Sequence, residues 1–143
     1  MSEIDDLTFE QIATGLRAWA RGLYPAEAAV ELLLAHRGWL HRLDFTRTVL
    51  WVSDDGPGCI GIDWAAAAEL ARRAPAAGSE AAMLQVAVGL AGHVLEQPLG
   101  DLLSRLDQVN TTIVLHAIAR TAGWHERGKV ALVTGGFAAL TPA

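Results

Sequence analysis

The chain has 143 residues, is 52% hydrophobic and 19% charged, and carries a formal net charge of −5. These totals fit one folded domain able to bury a core without disulfides, and exclude a disordered chain. The acidic balance offers no general footprint for nucleic acid or an anionic membrane, and Cys59 is the single cysteine, which excludes a disulfide framework or a cysteine-based zinc site.

Taken in order, the acidic start Met1–Asp6 has neither the basic opening nor the apolar run of a signal peptide, so a cytoplasmic location is expected. Thr8-Phe9-Glu10-Gln11 has the form of a capping box, and Phe9, Ile12, Ala13, Leu16, Ala20 and Leu23 follow at helical spacing. This predicts a helix over 8–22, stopped by Gly22. Pro25 is placed to open a second helix at its first position, running through Val30, Leu33 and Leu34 to about Gly38. Residues 39–47 are expected to be a packed connector.

The period then changes. Thr48–Val52 is β-branched and aromatic, Asp54–Gly58 is turn-forming, and Cys59–Ile62 resumes the strand pattern. Residues 48–52 and 59–62 therefore predict an antiparallel β-hairpin. Asp63 is the expected cap of a helix from Trp64 to about Ala74, ended by a linker over 75–78. The stretch 79–97 predicts a central helix with Ser79 as its cap, because apolar residues surround it except along Gln85, Gly89, Gly92, His93 and Glu96. A short helix over 99–106 follows, then a last helix capped by Asp107 or Asn110 and stopped at Gly123. Residues 129–134 form a candidate third strand. The fold class is mainly α within α+β: one domain over 1–143, about six helices packed around 79–97, with a small sheet at one side.

Gly128–Gly136 resembles the first strand and glycine turn of short-chain dehydrogenases over nine residues. A dinucleotide site also needs a helix whose N-terminus meets the pyrophosphate, within a unit of about 30 residues, and only seven residues follow Gly136 here. Thr8–Leu16 resembles the opening of helix-turn-helix DNA readers. Residues 25–35, however, hold Glu27 and Glu31 and no Arg or Lys, so nucleic acid is not an expected partner.

Three sets of residues are candidates for function. His36, Arg37, Trp39, His41, Arg42 and Arg47 form a local concentration of positive charge; the 36–47 stretch sums to +2 from three Arg against Asp44. Arginine forks beside aromatic faces suit phosphate, carboxylate or bases, although core anchoring of Trp39 and internal ion pairing would account for the same residues. Trp51, Gly89, Gly92 and His93 are candidate interface residues, since Trp is enriched at interfaces and helical glycines mark close approach of another backbone. His93, Glu96 and His116 could form an acid–base set if the fold brings them together. Asp54, Asp55 and Asp63 are accounted for by turn and cap roles, and the loop lacks the oxygen spacing of a calcium hand. The expected function is a non-catalytic interaction module without a cofactor or metal, binding a protein partner or itself. The alternatives are anion binding through 36–47 and, third, a small enzyme.

Overall fold

The capping box predicted at Thr8 is present in the computed structural model, which describes residues 3–53, 58–74 and 78–127. The Thr8 hydroxyl accepts from the Gln11 N–H at 3.1 Å, and the Gln11 side chain accepts from the Thr8 N–H at 2.8 Å. Two of the orphan donors at the start of α1 (Phe9–Ala20) are thereby satisfied. A 3-10 turn, Glu3–Asp6, precedes it. Helix α2 (Tyr24–His36) carries Pro25 in its first turn and packs against α1, so the short Gly22 connection joins a helix pair.

A mainly helical α+β fold follows, with eight α-helices among the described residues and a two-stranded antiparallel sheet. Two of the eight were not expected. Helix α3 (Leu43–Thr48) forms where a connector was predicted, and α8 (Trp124–Arg127) follows the Gly123 stop. In α3 the consecutive residues Phe45 and Thr46 are both buried, which a helical turn allows on one side and a strand, whose neighbours alternate in face, does not. The hairpin is correspondingly shorter: β1 is Leu50–Val52 and β2 is Ile60–Ile62, with Leu50 opposite Ile62 and Val52 opposite Ile60. The turn at 54–57 and the candidate strand 129–134, with the dehydrogenase-like segment, lie outside the described residues.

Asp63 caps α4 (Trp64–Arg73) by accepting from the Ala66 N–H at 3.0 Å. The predicted central helix is α5 (Gly78–Leu90), and its bounds differ from 79–97 at both ends. Ser79 lies inside the first turn and is not the cap. At the other end Gly92 adopts φ +103°, its N–H meets Gly89 O at 3.1 Å, and the His93 N–H meets Val88 O at 3.2 Å. This is the glycine-terminated reversal that closes many helices, and it takes 91–97 out of the helix. After α6 (Leu99–Leu103), Asp107 rather than Asn110 caps α7 (Gln108–Thr121), accepting from the Asn110 N–H at 2.8 Å.

The core runs through the middle of this arrangement. Leu16, Leu32, Leu33, Trp39, Phe45, Met83, Leu84 and Leu102 are all at most 1% exposed. Helix α2 packs on α1, α5 and α7, and α5 also packs on α4 and α6, so the centre is the α2–α5 pair and not α5 alone. No helix among the described residues is long and apolar enough to cross a membrane.

Candidate functional site

At the end of α2 the chain turns through Arg37, the one described non-glycine residue with positive φ, at +68°. Its N–H closes the helix on Leu33 O at 2.9 Å. The turn sends Gly38–His41 into a 3-10 segment and drives Trp39 inward, where it is 1% exposed. The indole of Trp39 lies against Phe45 with ring centroids 6.0 Å apart, and its Nε1 donates to Glu80 O at 2.8 Å. Trp39 is therefore an anchor in the core and not a plane offered to a ligand.

The arginines of the same stretch face internal acids. Arg42 lies over the Trp39 ring at 4.5 Å, grips Asp44 at 2.7 and 3.0 Å, and reaches Glu80 at 3.8 Å. The guanidinium holds the Asp44 carboxyl below the ordinary carboxylate range. Arg47 pairs with Asp5 at 3.2 Å. Arg37 stands 4.2 Å from the centroid of Phe9, and His41 stacks on that same ring at 5.2 Å. His36 is half-buried with no hydrogen-bond partner at Nδ1, and burial pushes its pKa down. The fold thus turns Trp39 inward and compensates two of the three positive charges of this stretch locally.

Trp51 is 43% exposed, standing edge-on to Trp19 at 6.1 Å and directly over Gly61, where a Cβ would come within 2.2 Å of the indole. Gly89 is approached by Leu95 of the following loop, whose Cδ2 would lie 3.0 Å from an added Cβ. The visitor that this glycine admits is its own chain. Gly92 supplies the reversal, and His93 is exposed beyond it. Glu96 is held by Arg72 at 2.5 Å in a shallow hollow with Val94 and Leu95. His116 lines a different cleft, of about 470 Å³, with Glu31, Arg120, Trp124 and His125. Glu96 and His116 are therefore not in one cleft, and His93 lines neither.

Sequence reasoning missed the outer face of α7. The helix packs on α2 and α5 through Asn110, Val114 and Ala117, yet Leu115 and Ile118 stay 38% and 47% exposed. With Thr111 and Ala122, both exposed, they form a stripe at spacings of four, three and four residues. The signal was present: Ile113, Val114, Leu115 and Ile118 are more apolar positions than one buried face can take. Val109 and Trp124 are also exposed, at 69% and 49%.

No group of three or more His, Cys, Asp or Glu among the described residues could hold a metal ion. Compared with family models, curated proteins and solved structures, the chain shows no significant match to any of them.

Proposed function

We propose that the protein is a small cytoplasmic interaction module, without a catalytic role, that associates with itself through α7. The observation that carries this reading is the stripe Thr111, Leu115 and Ile118 on α7, continued by Ala122 at its C-cap, which stays exposed beside the face that Asn110, Val114 and Ala117 bury. A two-fold axis needs a surface complementary to itself. The spacing of this stripe is symmetric about its centre. In an antiparallel pair Leu115 of one copy meets Ile118 of the other, and Thr111 meets Ala122, so the bulky side chains pack centrally and the small ones let the helix ends approach.

A helix of 14 residues is about 21 Å long. A lone helix pair of that length falls short of the roughly 800 Å² per partner typical of stable complexes. Association is therefore expected to be reversible and concentration-dependent. Light scattering on a sizing column, repeated over a dilution series, tests this. A dimer that becomes monomeric in the Leu115→Asp, Ile118→Asp double variant, with unchanged helical circular dichroism, supports the proposal. A wild-type protein that stays monomeric even at high micromolar concentration sinks it.

A further inference from the structure

Between the amino-terminal 3-10 turn, α1 and the hairpin lies a second cleft, of about 630 Å³. Leu7, Val52, Cys59 and Ile60 give it an apolar interior, while Glu3, Asp6 and Glu10 stand on its rim. None of the ion pairs among the described residues uses these three carboxylates. Their neighbour Asp5, by contrast, is taken up by Arg47. Glu10 exerts only a longer-range attraction on Arg17, whose guanidinium Glu31 already holds at 2.7 Å.

The two properties select together. A concave apolar floor of this size accepts one or two aliphatic or aromatic side chains. Three carboxylates along its rim attract cations, raise the rate of their encounter and repel acidic partners. A neutral apolar ligand would leave the rim unmatched, and a bare cation would leave the floor unfilled. We propose that this cleft docks a basic amphipathic segment of a protein partner, in which apolar side chains enter the cleft and flanking Lys or Arg meet Glu3, Asp6 and Glu10. This rests on the reading of the protein as an interaction module, but uses a surface separate from the α7 stripe.

Fluorescence anisotropy with a short labelled peptide of alternating leucine and lysine tests the assignment on the full chain. The peptide is expected to bind, to weaken as salt rises, and to outbind versions with glycine for leucine or glutamate for lysine by about tenfold or more. Asp6→Lys, Glu10→Lys is expected to reduce binding by a similar factor. Val52→Asp, which spoils the floor without touching the rim, should do likewise. Equal binding by the glycine–lysine peptide, or no effect of either variant, overturns the proposal. Displacement by n-octylamine at comparable concentration also overturns it, by making the cleft a small-amine site. The self-association and peptide-binding measurements on the wild-type chain together separate the two readings. A dimer that ignores the peptide removes the cleft proposal alone; a monomer that binds it removes the α7 proposal alone.

Discussion

The indole Nε1 of Trp39 donates to the carbonyl of Glu80 at 2.8 Å and thereby ties the segment after α2 to the first turn of α5. These residues are 41 positions apart, and the bond joins the two helices at the centre of the fold. Because Trp39 is fully buried, Trp39→Phe removes both a hydrogen bond and part of the packed ring. A loss of about 1–2 kcal/mol is expected for Phe and about 3–5 kcal/mol for Ala. Urea titration measures both; equal stability of Phe and wild type would show that the bond contributes nothing.

Gly15 lies inside α1, where propensity alone favours alanine over glycine by about 1 kcal/mol. Here a Cβ would sit 2.6 Å from Ile60 Cγ1 and 2.8 Å from the carbonyl oxygen of Gly58. Backbone cannot swing aside as a side-chain end can. Gly15→Ala is therefore expected to destabilise by about 1–3 kcal/mol, the range for overpacked cores. A higher melting temperature in this variant would contradict the close packing of α1 on β2.

The reciprocal bonds of Thr8 and Gln11 make a coupling that can be isolated. Thr8→Ala is expected to cost about 1 kcal/mol. Gln11→Ala should cost less, because water can replace its contact with an exposed N–H. In the double variant the two losses should fall short of additivity, since each bond fixes the turn that the other uses. Strict additivity in denaturant titrations would mean that the two bonds act separately.

His36 gives the protein a defined pH response. Burial lowers its pKa in the folded state from the ordinary value of 6.5, against the attraction of Glu80 and Asp107. On acidification the unfolded chain binds a proton that the folded chain resists. The stability that His36 contributes is complete above about pH 6.5 and declines as pH falls from there toward its folded pKa. Urea titrations at about pH 7.5 and about pH 5.5 should show this decline in wild type and a smaller one in His36→Gln. An identical decline in the variant would assign the response to other groups.

Three helix starts were legible because a side chain in the first turn sets each of them. Thr8 with Gln11, Asp63 and Asp107 each satisfy N–H groups within their own first turn, so neighbours in sequence were enough. The hairpin was legible for the same reason, from a change of period around turn residues. Helix α3 was not, because six residues hold too little periodicity to separate a short helix from a packed connector. The end of α5 was misplaced although Gly92 stood in view. Apolar residues continue past it, and Leu95 owes its place to folding back on Gly89 and not to staying helical.

Function-bearing surfaces divide the same way. Composition and local pattern together determined that this acidic, cysteine-poor chain folds around a helical core, and that its positive charge gathers in 36–47. Only the tertiary structure decided that Trp39 is interior, that Arg42 and Arg47 face Asp44, Glu80 and Asp5, and that Leu115 and Ile118 remain outside. The physical reason is range. Caps, periods and turn chemistry act within a few residues, whereas burial and ion pairing depend on partners brought close from far along the chain, 41 positions for Trp39 and Glu80 and 93 for Arg120 and Glu27.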